Sequence, residues 1–135
     1  MKNYFSDREL ECHCEKCSGA HTSLNINPLF LHRLNLLRDM WGGPINVSDA
    51  YRCKEHNAEV GGSPNSQHLY GNAADIYVGE PYDFSKEAHE EYKRFYKFIL
   101  DSKLFDGIGN YPNGLFVHVD LRSGGTEINK YRWDG

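Results

Sequence analysis

The stretch that decides the fold is SQHLYGNAAD at residues 66–75. It holds a histidine and an aspartate separated by a tight turn, and Gly71 permits a backbone conformation there that residues with a side chain resist. Two alanines before the aspartate leave room for close packing. His68 and Asp75 can therefore converge on one point if Asp75 opens the strand that follows.

A second segment, FVHVD at residues 116–120, supplies a further histidine. Alternate side chains of a strand share a face, so His118 and Asp120 can point into the same site while the two valines point away from it. Two imidazoles and one carboxylate leave one tetrahedral position open for water, which is the pattern of catalytic zinc.

The motif Ser-x-His-x-x-Gly-x-Ala-x-Asp, followed by a histidine on a later strand, resembles the signature of the zinc D-Ala-D-Ala carboxypeptidase family. That family includes phage L-alanyl-D-glutamate endolysins and shares its fold with the hedgehog signalling domain. Residues 47–52 also resemble the family's Ser-x-Gly-Tyr-Arg segment, and the likeness spans about residues 4–133. It points to a bacterial or phage branch of the family.

The resemblance implies that His68, Asp75 and His118 are ligands of a Zn²⁺ cofactor. It also implies that Arg52 lies near the substrate's carboxylate or carbonyl oxygen, and that Ser66 forms a hydrogen bond with the substrate. The implied activity is that of a metallopeptidase acting on peptidoglycan stem peptides. It would either remove a terminal D-Ala or cut within the stem or cross-bridge, as an endolysin does.

One position departs from the family pattern. In the carboxypeptidase and endolysin branches the general base is a Glu or Asp three residues before the last ligand, and that position here is Leu115. Asp120 is the carboxylate in this segment that strand alternation places on the ligand face. We therefore expect Asp120 to be either the general base or a partner that orients His118.

Two classes of function follow from these residues. The first is a zinc peptidase that acts on the cell wall, and the retention of Arg52, Ser66 and Asp120 favours it. The alternative is a non-catalytic, zinc-containing cell-wall-binding module of the same fold, and Leu115 at the usual position of the base favours that.

Capping signals and apolar periodicity predict an α+β fold in which helices flank a small, mostly antiparallel sheet. Asn27 followed by Pro28 is a helix start, and Ser85 can cap a second long helix. Asn113-Gly114 predicts a hairpin turn. The predicted helices are residues 28–41, 54–60 and about 86–103, and the predicted strands are residues 45–48, 73–78, 107–111 and 115–121.

Four cysteines form a further pattern, because Cys12, Cys14 and Cys17 lie close together in the chain and Cys53 follows later. Such clustering favours a structural metal site with Cys53 as the fourth ligand. A disulfide and buried, unlinked thiols are the alternatives. We expect the cysteine-containing arm, residues 1–24, to belong to one peptidase domain that spans residues 1–135.

The net charge of −4 argues against a nucleic-acid binder, which usually carries a basic excess. No apolar run approaches the length of a membrane span, and no apolar stretch typical of a signal peptide follows Met1. We expect a monomer that is made in the cytoplasm, encoded by a phage or prophage, and released to act on the wall.

Overall fold

The computed structural model describes residues 3–13 and 26–135. Within these ranges the helices are α1 (Asp7–Leu10), α2 (Pro28–Trp41), α3 (Lys54–Glu59) and α4 (Lys86–Ser102), with a 3₁₀ helix at Gln67–Tyr70. The strands are β1 (Asn46–Asp49), β2 (Ala73–Tyr77), β3 (Gly107–Tyr111), β4 (Phe116–Asp120) and β5 (Tyr131–Asp134).

The five strands form one sheet with the order β1-β2-β4-β3-β5. The pairs β1–β2, β2–β4 and β3–β4 are antiparallel, and β5 lies parallel to β3. The predicted α+β class with a mostly antiparallel sheet is confirmed.

The sheet separates an apolar core from a polar face, because alternate side chains of each strand point to opposite sides. On the core side the strands contribute Val47, Ile76, Ile108, Val117 and Val119, all buried. These residues share one cluster with apolar side chains of helices α2 and α4, namely Phe30, Leu34, Leu37, Phe95 and Ile99. The opposite side of the sheet carries Asp75 and His118.

The two long helices begin where the capping residues predict. Asn27 accepts a hydrogen bond from Leu29 N–H at 2.9 Å, and Ser85 accepts one from Ala88 N–H at 3.2 Å. Gly42 ends helix α2 in the left-handed conformation. None of the helices in residues 3–13 and 26–135 combines the length and the apolar composition that a bilayer crossing requires.

Three local features differ from the sequence-based expectation. Strand β1 begins and ends one residue later than predicted, and strands β2 and β4 are shorter than predicted. The β3–β4 hairpin is present, but Leu115 adopts a positive φ of 55° in it, although Asn113-Gly114 is the pair that usually supplies this conformation. Strand β5 was not predicted, because a short strand that joins a sheet in parallel has no adjacent turn to signal it.

Tyr92 ties helix α4 to the β3–β4 hairpin. Its hydroxyl oxygen accepts a hydrogen bond from Tyr111 N–H at 2.9 Å and lies 2.5 Å from Asn110 Oδ1. The Tyr92 side chain is almost fully buried, and this burial raises the pKa of its phenol well above the usual value of 10.0.

We predict that Tyr92→Phe lowers the free energy of unfolding by about 1–3 kcal/mol, because Tyr111 N–H and Asn110 lose a partner. The pKa of Tyr92 is higher in the folded state than in the unfolded state. The contribution of Tyr92 to the free energy of unfolding is therefore complete below pH 10.0, and it is lost as the pH rises through the folded-state pKa. Urea unfolding measured across this pH range should show a steeper alkaline loss in wild type than in Tyr92→Phe. Tyr82→Phe is the control, because Tyr82 is 93% exposed. Parallel curves for wild type and Tyr92→Phe would contradict the prediction.

Candidate metal centre

Three side chains from separate elements meet on the polar face of the sheet. The potential ligand atoms of His68, Asp75 and His118 all lie within 4.8 Å of one another. Asp75 Oδ1 is 3.4 Å from His68 Nε2 and 3.2 Å from His118 Nδ1. Both imidazoles are buried. The structure thus brings together the three residues that the sequence motifs single out.

The register of the sheet places Asp75 beside His118. The two residues are partners in the antiparallel β2–β4 ladder, and directly opposite residues point to the same face. A slip of one residue in this ladder would turn one of the two side chains into the apolar core. The geometry of the group therefore depends on the same register that packs Ile76 and Val117 on the core side.

His68 reaches the group from the 3₁₀ helix. Ser66 caps this helix by accepting a hydrogen bond from His68 N–H at 3.2 Å, and Gly71 ends it with a φ of 67°. His68 Nδ1 lies 2.6 Å from the carbonyl oxygen of Ala50. Because a carbonyl oxygen only accepts, Nδ1 carries the proton, and in the neutral ring Nε2 is left with a free lone pair toward Asp75.

His118 lies between two carboxylates. Its Nδ1 faces Asp75, and its Nε2 is 2.8 Å from Asp120 Oδ2. Asp120 is fully buried and also accepts hydrogen bonds from Arg122, at 2.7 Å from Nη2 to Oδ2 and 3.1 Å from Nε to Oδ1. Asp120 therefore lies behind the His118 ring, on the side away from Asp75.

Opposite charges offset the burial of these groups. Burial acts to raise the pKa of Asp75, but hydrogen bonds and attraction from the His118 and His68 rings in their protonated forms outweigh it and hold that pKa well below its usual range. Burial also acts to raise the pKa of Asp120, and hydrogen bonds with His118 and Arg122 bring it down to about 2. Burial alone would lower the pKa of His118, but its bonds to the two carboxylates raise it overall. Both carboxyl groups are thus ionised at neutral pH.

Two glycines on β3 make room for the side chains around His118. A Cβ atom on Gly107 would overlap the Asp120 carboxylate, and a Cβ atom on Gly109 would lie 2.8 Å from the indole ring of Trp133. Gly109 is also the partner of His118 in the β3–β4 ladder. The indole of Trp133 can therefore lie across β3, with its centroid 5.1 Å from that of the His118 ring.

A cavity of about 690 Å³ opens in front of the three converging side chains, and Arg52 and Ser66 both line it. The Arg52 guanidinium is held at 2.6 Å by Asp49 and at 2.9 Å by Asn57, and it lies 3.9 Å from Asp75. With 12% of its side chain exposed, Arg52 presents a fixed positive charge at the wall of the cavity.

The other side of the cavity is aromatic. Tyr111 and Phe116 stack with ring centroids 4.6 Å apart, and Trp133 Nε1 donates a hydrogen bond to the Tyr111 hydroxyl at 2.9 Å. All three residues line the cavity. Trp133, near the C-terminal end of the described residues, therefore forms part of this wall.

The sequence analysis missed three residues that surround His118 and Asp120, namely Arg122, Gly107 and Gly109. The sequence contains one pattern that indicates Arg122 and another that indicates the two glycines. His118, Asp120 and Arg122 occupy alternate positions, which predicts side chains on one side of the chain. A Gly-x-Gly pattern within a strand indicates that another group approaches the backbone closely.

Two of the four cysteines lie within the described residues, and they pack together. Cys53 N–H donates a hydrogen bond to Cys12 Sγ at 3.3 Å, and both side chains are buried in a small cluster with Tyr51. Cys14 and Cys17 lie outside the described residues. The structural metal site or disulfide remains a prediction.

The donor set of the three residues fits zinc. Two imidazole nitrogens and one carboxylate oxygen, with an open position toward a cavity, are the usual ligands of catalytic zinc. Metal-binding histidines also usually place their second nitrogen on a carbonyl or a carboxylate. His68 does so through Ala50, and His118 does so through Asp120.

Comparison with known proteins adds two findings. A family model described as Peptidase M15 matches residues 3–120. Over 48 residues the chain is 42% identical to the zinc D-Ala-D-Ala carboxypeptidase of Streptomyces albus G. That match covers 35% of this chain and 19% of the relative, so it spans about a fifth of the relative's length.

We predict that His68→Ala binds one zinc ion per chain fewer than wild type, because two remaining protein ligands hold zinc poorly. The measurement is the metal content of the desalted protein by mass spectrometry. His32→Ala, at an exposed position on α2, is the matched control and should keep its zinc. If His68→Ala contains as much zinc as wild type, His68 is not a zinc ligand.

We also predict that Gly107→Ala lowers zinc affinity by about 10–100-fold, because the added methyl group displaces the carboxylate that orients His118. Competition with a chromogenic chelator measures the change. Gly43→Ala is the control, since a Cβ atom there would meet Trp41 at an ordinary 3.7 Å. Equal affinities in the two variants would show that the position of Asp120 does not affect the metal.

Proposed function

This chain belongs to the peptidase M15 family, and on that premise we propose that it is a zinc peptidase which hydrolyses a peptide bond of bacterial peptidoglycan. The observation that carries the proposal is the convergence of His68, Asp75 and His118 at a cavity with Arg52 in its wall. The Streptomyces relative is a zinc D-Ala-D-Ala carboxypeptidase, which supports a D-Ala-containing stem as the substrate.

His68, Asp75 and His118 would hold the zinc ion. When bound, zinc supplies a Lewis acid that activates water and polarises the scissile carbonyl. The guanidinium of Arg52 is a planar, positively charged group with several N–H donors. Its contacts with Asp49 and Asn57 hold it in one orientation. It can therefore bind the developing charge on the carbonyl oxygen, or a carboxylate of the substrate, without reorganising.

Ser66 is proposed to bind the substrate. Its hydroxyl oxygen accepts the hydrogen bond from His68 N–H, so its own proton is available to a group in the cavity that Ser66 lines. A peptide carbonyl oxygen fits that donor. Ser66 thus has two roles, because it caps the helix that carries His68 and faces the substrate.

For Asp120 we propose the orienting role rather than that of general base. Its carboxylate lies behind His118, is fully buried and bonds to both His118 and Arg122, so no position toward the cavity is left for a water molecule. We propose Asp49 as the proton acceptor instead. Asp49 lines the cavity with 22% of its side chain exposed, and its Oδ1 has no hydrogen-bond partner within residues 3–13 and 26–135.

A non-catalytic, zinc-containing wall-binding module is the second candidate. Leu115 occupies the usual position of the base, and the one carboxylate on the same strand is engaged with Arg122. In that case the cavity would hold a stem peptide without cutting it. An endolysin role, a phage origin, release to the wall, a monomeric state and one domain over residues 1–135 remain predictions.

The test of the proposed function is a digest of purified peptidoglycan and defined muropeptides by the zinc-loaded protein, read by mass spectrometry. Loss of one D-Ala identifies a carboxypeptidase, and cleavage at an internal bond identifies an endopeptidase. Chelator-treated protein and His68→Ala are the negative controls. Binding of muropeptides without products on any stem type would favour the non-catalytic module.

We predict that Asp120→Asn and Asp49→Asn fail in different ways. Asp120→Asn should lower zinc affinity by about 10–100-fold, because it weakens the support of His118, yet keep much of its turnover at saturating zinc. Asp49→Asn should keep wild-type zinc affinity and lose turnover by about 10²–10⁴-fold, the usual contribution of general-base catalysis. Chelator competition and kcat at saturating zinc separate the two outcomes. If Asp120→Asn instead keeps its zinc affinity and loses turnover, while Asp49→Asn keeps its turnover, Asp120 is the general base.

A further inference from the structure

A second groove lies beside the metal cavity on the same face of the sheet. It is lined by the loop that follows β2 and by the β3–β4 hairpin, with the residues Ser48, Tyr77, 80–84, Gly114, Leu115 and Phe116. Phe116 lines both the groove and the metal cavity. Phe116 therefore forms a wall that the two spaces share.

Strands β2 and β4 both run from the proposed metal ligands to the groove. Tyr77 lies two residues beyond Asp75 on β2, and Phe116 lies two residues before His118 on β4. Alternate residues share a face, and two residues along a strand span about 7 Å. The groove thus begins one row of side chains away from the proposed metal ligands.

The outer wall of the groove exposes aromatic rings to solvent. Tyr82 is 93% exposed and Phe84 is 53% exposed, although large apolar side chains are usually buried. Tyr82 has a φ of 62°, which is uncommon for a residue with a side chain. Exposed aromatic surface beside a polar cavity is typical of a ligand-binding surface.

The charged groups of the groove accept hydrogen bonds. Glu80 and Asp83 line it, and none of the described residues that line it is basic. Hydrogen bonds from Ser85 hold the pKa of Asp83 below its usual value, so this carboxyl is ionised at neutral pH. Such a groove repels the carboxylates of a stem peptide. It suits a neutral ligand that has hydroxyl donors and an apolar face.

We propose that this groove binds an N-acetylated sugar ring of the glycan strand, with the face of the ring on Tyr82 and Phe84 and its hydroxyls donating to Glu80 and Asp83. The inference rests on the proposed function, because the stem peptide is joined to the glycan at its amino end. A stem bound at the metal centre therefore brings a sugar within a few residues of it. The groove would then favour substrates that still carry their glycan.

The first experiment compares two substrates of the zinc-loaded protein, a muropeptide with its disaccharide and the same stem peptide without sugar. Wild type should show a kcat/KM about tenfold higher for the sugar-bearing substrate, the size of effect expected of an aromatic anchor. In Tyr82→Ala and Phe84→Ala this ratio should fall towards one. The ratio within one preparation does not depend on how much active protein that preparation contains.

A second experiment needs no catalysis. A chitin tetrasaccharide is titrated into the zinc-loaded protein, and NMR shifts of residues 79–85 are followed. Saturable shifts that Tyr82→Ala abolishes would support the sugar site even if no peptide bond is cut, in which case the proposed function alone fails. Met40→Ala is the control, because Met40 is 51% exposed on α2 and lines neither the groove nor the metal cavity.

Equal kcat/KM values for the two substrates, together with no shifts on adding tetrasaccharide, would overturn the proposal. A different pattern would overturn it too. If wild type prefers stems with an amine-bearing side chain whether or not sugar is present, and Glu80→Gln abolishes that preference, the groove binds a cationic side chain instead.

Discussion

The pairing of Asp75 with His118 across β2 and β4 is the constraint on which the site depends. Because side chains alternate along a strand, the register that brings this carboxylate to this imidazole also turns Ile76 and Val117 into the core. The apolar core and the metal centre therefore select the same alignment of two strands. A slip of one residue would lose the burial of the core residues and the convergence of the ligands together.

Further contacts between basic and acidic side chains continue from this pair across the sheet. A line of alternating basic and acidic groups runs from Arg122 through Asp120, His118 and Asp75 to Arg52, with separations between neighbours of 2.7 to 3.9 Å. Buried ions are costly unless they are paired, so each member makes the burial of the next one tolerable. Removing one member leaves an uncompensated charge beside the site. This coupling explains how so many ionised groups can lie under a small cavity.

Sequence reasoning succeeded where the signal is local. The motifs singled out His68, Asp75 and His118, which the structure brings within 4.8 Å of one another, and the capping residues predicted where both long helices begin. Alternation also placed Asp120 beside His118, but it could not tell whether the carboxylate stands in front of the ring or behind it. The contribution of Trp133 and the need for glycine at Gly109 depend on which strands become neighbours. A parallel strand that joins the sheet from the far end of the chain leaves no local pattern to reveal this.

The late position of β5 in the chain has a consequence for synthesis. The strands that carry Asp75 and His118 leave the ribosome before Tyr131, and β5 can join β3 only afterwards. A nascent chain that stops short of residue 131 would contain the ligand-bearing strands but no indole across Gly109. The His118 side of the cavity would then stand open to water. The order of translation therefore delays the finished cleft until strand β5, Tyr131–Asp134, has been made.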